Sequence, residues 1–246
     1  MLALVASNRH WVFKPHRHAV DEIQPPTGLA LQGGLMGRKK TMSNELKVFA
    51  RLACALQKLT TSASMHIGAD CMLQAKLAQR ILQDEGINTR VVVGESAWRV
   101  GPGDGDVITH SPRIGGFSPP GVKAVAYHAW LEMGSTIIDF TTHSLRSKAK
   151  SLDAMDGGQT NVLWCPAYLV MQSDETVSLQ AVVRAPNHGV ACYQQLPGLE
   201  EMMVAEGCNK DIDEEDVLLL RLIFDSPEMV VIGPNDRANA LNGVPA

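Results

Sequence analysis

KAVAYHAWLEMGSTIIDFTT, residues 123–142, is the stretch whose reading decides the fold. Two apolar, β-rich runs, 123–133 and 136–142, flank Gly134-Ser135. A Gly-X pair suits a type II′ turn, the tight connection of a two-residue hairpin. A two-residue loop pairs Met133 with Thr136 and fixes every pair beyond it. His128 then falls opposite Thr141, and Trp130 opposite Asp139. Alternation sorts the side chains by face. Tyr127, Ala129, Leu131, Met133, Ile138 and Phe140 share an apolar face that predicts a core. Ala126, His128, Trp130, Glu132, Ile137, Asp139 and Thr141 share the other, which is unusually polar for a central hairpin.

On the polar face, His128 and Asp139 are diagonal cross-strand neighbours, with Cα atoms about 7–8 Å apart. At that distance Asp139 can accept a hydrogen bond from one ring nitrogen, which fixes the tautomer and leaves the other nitrogen for a thiol. Glu132 lies about 13 Å along the strand from His128 and is the poorer orienting group. A one-residue slip would put the two side chains on opposite faces. The alternative is a surface His–Asp pair that steadies the hairpin.

Upstream, HIGADCMLQAKLAQRILQDEGI, residues 66–87, reads as a helix. Asp70 can cap it. Cys71, Ala75, Ala78 and Leu82 line one stripe, and Gly86-Ile87 supplies a left-handed stop with its hydrophobic clasp. Cys71 sits in the first turn on the buried side. There the helix dipole and free N–H groups favour a thiolate, the form that attacks carbonyls. The alternative is a small apolar core residue. Before this helix, residues 43–59 form a second apolar stripe, followed by a polar loop at 60–64. After it, Arg90–Gly94 reads as a strand. Residues 101–121, with six glycines and four prolines, read as a long loop, in which His110 is a candidate ligand or proton carrier, with an exposed loop histidine the expected reading.

GADCMLQAKLAQRILQDEGINTRVVVGE together with YHAWLEMGSTIIDFTT resembles the transglutaminase-like, papain-like cysteine superfamily. There a Gly-x-x-Cys opening leads into a helix, then Gly-Ile and Arg-Val-Val-x-Gly. Later come His-Ala-Trp-x-Glu and a hydrophobic-hydrophobic-Asp-x-Thr strand. The match runs from Gly68 to Thr142 in the order Cys, His, Asp. From Met42 on, the chain is similar to a small bacterial family of unknown function in that clan. The resemblance implies an α+β fold, with a cysteine helix packed on an antiparallel sheet that carries the histidine and the aspartate. It also implies a catalytic triad of Cys71, His128 and Asp139. The 101–121 insert departs from the simplest members, where the link is short.

Composition frames these motifs. The chain has 246 residues, 45% apolar and 20% charged, with net charge -4. That is globular composition without the basic excess that phosphate neutralisation requires, and nucleic acid is not an expected partner. No apolar run is long enough for a transmembrane helix, and no membrane partner is expected. Residues 1–41 carry six Lys/Arg and two Asp/Glu, a balance of +4, so the other 205 carry -8. Residues 1–41 read either as a mobile tail or as a segment ahead of a start at Met42. Residues 42–233 read as one catalytic domain, and 234–246 as a frayed tail. Five cysteines, with no CxxC and no secretory signal, suggest reduced thiols in a cytoplasmic protein. No cofactor or metal motif occurs. Residues 162–171, 178–184, 190–196 and 229–233 read as strands. The acidic opening of 211–225 reads as the cap of an apolar helix.

The expected function is cysteine-dependent acyl transfer on a peptide, protein or small amide, with hydrolysis favoured because water needs no second binding site. An acyltransferase of transglutaminase or arylamine N-acetyltransferase type and an inactive peptide-binding domain are the alternatives. Trp98 and Trp130 are candidate cleft walls, with core packing the expected role of each.

Overall fold

The computed structural model describes residues 12–15, 36–63, 70–112, 126–205 and 211–235. It is a mixed α+β structure built on an antiparallel sheet. The elements in chain order are β1 (Val12–Pro15), α1 (Met36–Ala63), α2 (Cys71–Asp84), β2 (Arg90–Arg99) and β3 (Val107–His110). Next come β4 (His128–Met133), β5 (Thr136–Asp139), α3 (Leu145–Asp156), β6 (Leu169–Gln172) and α4 (Leu179–Arg184). The chain continues with β7 (Ala191–Gln195), α5 (Leu199–Ala205), α6 (Glu214–Asp225) and β8 (Met229–Ile232). Among the described residues, no helix is long and apolar enough to cross a membrane.

The β4–β5 hairpin forms in the register expected from its turn: Met133 pairs with Thr136, Glu132 with Ile137 and Leu131 with Ile138. Gly134 occupies φ +60, which an L side chain resists. The long strand β2 organises the rest. Its first half, Arg90–Gly94, pairs with β4, and its second half, Ser96–Arg99, pairs with β3. Strand β7 runs along its other edge, from Gly94 to Trp98. A Cβ at Gly94 would meet the Gln194 carbonyl oxygen at 2.0 Å, so this close approach requires glycine.

Both faces of the sheet are covered. On one face Val93, Ala129, Leu131, Ile138 and Phe140 pack against Leu52 and Leu56 of α1, Leu82 of α2 and Leu220 of α6. On the other, Val92, Trp98, Trp130, Ile137 and Tyr193 pack with Leu145 and Ala149 of α3. The second hairpin face is therefore an interior and not a surface. Helix α2 ends as expected. Ile87 N–H donates to the Leu82 carbonyl, Gly86 N–H to that of Gln83, and Gly86 takes φ +76.

Several expectations fail. The loop expected at 60–64 is helical through Ala63, with the Thr60 hydroxyl donating back to the Leu56 carbonyl, the bond that lets a polar residue sit inside a helix. Within the strand expected at 178–184, Leu179–Arg184 form α4. Ser178 caps it by accepting from Ala181 N–H, and only Val182 is buried, a single contact per turn. The strand expected at 162–171 is confined to Leu169–Gln172. Within the 101–121 loop, Val107–His110 form a strand, while 113–121 lie outside the described residues. Residues 12–15 pair with β8 and α1 begins at Met36, so parts of the expected tail are in regular structure. The acidic opening at 211–216 acts as expected, with Asp213 accepting from Glu215 N–H at 2.9 Å.

Candidate active site

The pairing of β2 with two strands on one edge builds this site. Gly94 pairs with His128 and Ser96 with His110, two positions apart on the same face. The end of β3 and the start of β4 thus bring two histidines together, with ring centroids 5.4 Å apart. His110 is buried, not an exposed loop residue. Its ring packs edge-on against Trp98 at 5.5 Å and its Nδ1–H donates to the Tyr127 carbonyl at 3.0 Å. Burial, then the charges of His128 and Lys148, lower its pKa to about 3, so it is neutral at physiological pH.

His128 is 1% exposed. Trp98 lies edge-on to its ring at 4.8 Å, and Trp130 is stacked at 6.1 Å. His128 Nε2 and Asp139 Oδ2 are 2.8 Å apart. Both groups are interior, which excludes the reading of a surface pair. Nδ1 is buried and has no hydrogen-bond partner among the described residues. Burial pulls the His128 pKa down. The Asp139 carboxylate more than reverses this, with a smaller contribution from Cys71, and the pKa rises to about 9. His128 is therefore a buried imidazolium at neutral pH.

Asp139 is fully satisfied. Its Oδ1 accepts from Thr141 N–H at 2.8 Å and from the Thr141 hydroxyl at 2.7 Å. Its Oδ2 accepts from His128 and from the Tyr193 hydroxyl, the latter at 2.7 Å. Burial raises its pKa, and His128 with these donors overturns that, bringing it to about 2. A carboxylate offers about four acceptor positions, and all four are used.

Cys71 opens α2 and is 5% exposed. It adds to the rise of the His128 pKa that Asp139 produces. Asp70 does not cap with its side chain. Its Oδ1 accepts from Gln74 Nε2 at 2.8 Å, while its carbonyl accepts from Gln74 N–H. His143 and Lys148 complete the surroundings, and burial lowers both their pKa values. The charges of Asp70 and Cys71 act in the opposite sense on Lys148.

The structure thus brings Cys71, His128 and Asp139 to one place. The sequence gives no sign of Tyr193 here, whereas Trp98, a candidate cleft wall, and His110, a candidate ligand or proton carrier in a loop, both lie against His128. Thr141 was placed on the right face, without its bond to Asp139. Glu132 is elsewhere, paired with Arg90 and accepting from Trp130 Nε1. Among the described residues, no group of three or more His, Cys, Asp or Glu is arranged to hold a metal ion. No family model and no curated protein matches this chain. A crystal structure of a genomics target is similar to it at 13% identity, covering 73% of this chain and 78% of that one, with a TM-score of 0.48.

Proposed function

We propose that this chain is a cysteine-dependent acyl-transfer enzyme with a transglutaminase-like core, and that it hydrolyses an amide in a peptide, protein or small molecule. One observation carries the reading. A buried imidazole gives Nε2 to a saturated carboxylate and keeps Nδ1 unpartnered while a helix-opening cysteine acts on its ring. In this reading the proton of Cys71 already rests on His128 Nδ1, completing the imidazolium, and Cys71 Sγ attacks the carbonyl carbon. The same proton then goes to the departing amine as the C–N bond breaks, leaving a thioester. Water, deprotonated at Nδ1, attacks the thioester. The acid leaves, Cys71 Sγ is released and the proton taken from water stays on His128 Nδ1, which restores the imidazolium. Asp139 stays ionised and stabilises the imidazolium. The Cys71 backbone N–H, at the start of α2, is one oxyanion donor.

The test is the pH dependence of iodoacetamide alkylation, with peptide mass identifying the thiol, in wild type and His128→Gln. Cys71 is expected to react ahead of the half-buried Cys54 and Cys165, and to keep reacting at mildly acidic pH, where an ordinary thiol is nearly inert. In His128→Gln that acid-side reactivity is lost. A Cys71 that reacts no faster than Cys54 and is indifferent to His128→Gln overturns the proposal.

A further inference from the structure

Behind Asp139 lies a chain of donors that the reaction itself does not use. Trp98 Nε1–H donates to the Tyr193 hydroxyl oxygen at 2.8 Å, and Tyr193 O–H donates to Asp139 Oδ2 at 2.7 Å. Both side chains are buried. An indole N–H can only donate, so the Tyr193 oxygen accepts from Trp98 and its own proton points to Asp139. Asp139 Oδ2 then receives a proton from each of its neighbours and offers none. His128 Nε2 must be the donor in that bond, and Nδ1 is the nitrogen that gains and loses a proton.

The two groups reach this place by topology. Trp98 is on β2, Tyr193 is on β7, and Ser96 pairs with Tyr193 across the edge opposite β3. Tyr193 also packs against Trp98 and Trp130 with ring centroids 5.9 and 5.3 Å away, which holds the hydroxyl in one position.

We infer that Tyr193, oriented by Trp98, is a positioning residue: its hydroxyl holds Asp139 as a carboxylate and thereby sets the pH range over which His128 Nδ1 exchanges its proton. The inference rests on the proposed triad but has a readout of its own. Removing the hydroxyl takes one donor from a buried anion, which raises the proton affinity of Asp139. The negative charge that Tyr193 had drawn off then acts more fully on His128, so His128 holds its proton to higher pH.

The experiment is an NMR titration of ring-labelled histidine in wild type, Tyr193→Phe, Trp98→Phe and the double variant, alongside the pH profile of Cys71 alkylation. In Tyr193→Phe, the His128 titration is expected to move up by about half a unit to one unit. Trp98→Phe should move it the same way by less, and should add nothing in the Tyr193→Phe background. Replacing the three tyrosines with 3-fluorotyrosine, a stronger donor that preserves the fold, should move the titration down. That arm decides the matter if Tyr193→Phe fails to fold. A His128 titration unmoved in both Tyr193→Phe and the fluorotyrosine protein overturns the inference. So does a Trp98→Phe shift that adds to that of Tyr193→Phe. A Cys71 that never reacts removes the proposed enzyme, while the histidine titration still decides the role of Tyr193.

Discussion

The two faces of the sheet are built on opposite terms. Against α1, α2 and α6 the contacts are almost wholly aliphatic: Leu52, Leu56, Ile81, Leu82, Leu220 and Ile223, each buried to within 1%. Across the sheet, His128 and Asp139 are equally buried and His110 is 8% exposed, but all three are polar and held among Trp98, Trp130 and Tyr193. On the first face a side chain is replaceable by volume, because dispersion and burial are non-directional. On the second, each group is held by named partners, and losing one strands another without water to replace it. The structure therefore concentrates directional interactions around His128, and Cys71 reaches them from a helix seated in the aliphatic cluster.

The largest effect that would break this contrast is at Asp139. Asp139→Asn keeps the volume but turns an acceptor into a donor facing His128, which disfavours the Nε2–H tautomer. Turnover is expected to fall on the order of 10⁴-fold. Asp139→Ala leaves a buried imidazole without its counter-charge and should cost about 3–5 kcal/mol in denaturant unfolding. Leu220→Ala, on the aliphatic face, should cost about 2–5 kcal/mol through its cavity. Turnover per folded molecule should be unchanged. If Leu220→Ala altered the pH profile of turnover, the two faces would not be independent.

The same division appears in stability against pH. His110 has its pKa lowered from 6.5 to about 3, so the unfolded chain binds its proton first and stability falls as pH drops below 6.5. Asp139, lowered from 3.8 to about 2, extends that loss further into acid. His128 is raised from 6.5 to about 9, so its contribution is complete below 6.5 and disappears as pH climbs to about 9. A maximum near pH 6.5 is expected in the midpoint of chemical denaturation. His128→Gln should flatten the alkaline side, and His110→Asn the acid side. Leu220→Ala should lower the whole curve without changing its shape. A curve still sloping from pH 6.5 to 9 in His128→Gln would assign that side to other groups.

The sequence exposed what local periods encode. A Gly-Ser turn and period-two alternation are local, so the hairpin register could be read, and with it the proximity of His128 to Asp139. Gly86-Ile87 likewise marks the end of α2. Helix α3 escaped because LRSKAKSLDAMD buries only Leu145 and Ala149. Helix α4 reads as a strand because six residues hold too few turns to separate a period of 3.6 from 2. His110 is hidden by its flanking Gly and Pro, although it pairs with β2 together with the three residues before it. Tyr193 could not be reached by local reasoning. It stands 54 residues from Asp139 and arrives on the opposite edge of β2, a placement that only the completed sheet defines.

The smallest predicted effect sharpens the comparison most directly, because it applies one substitution to two aspartates. Asp213 caps α6 from the exposed rim of the aliphatic half, accepting from Glu215 N–H at 2.9 Å. The cap needs only an oxygen acceptor in reach of the first turn. Asp213→Ala is therefore expected to cost about 1 kcal/mol, and Asp213→Asn no more than a few tenths. Asp139→Asn, by contrast, is expected to carry the large loss of turnover given above, because all four of its oxygen positions receive protons and an amide nitrogen can accept none of them. Urea unfolding of the two Asn variants, with turnover measured beside it, provides the check. A near-neutral Asp139→Asn would mean that acceptor chemistry is no more constrained behind His128 than at a solvent-facing helix end. The division between the two faces would then be one of composition alone.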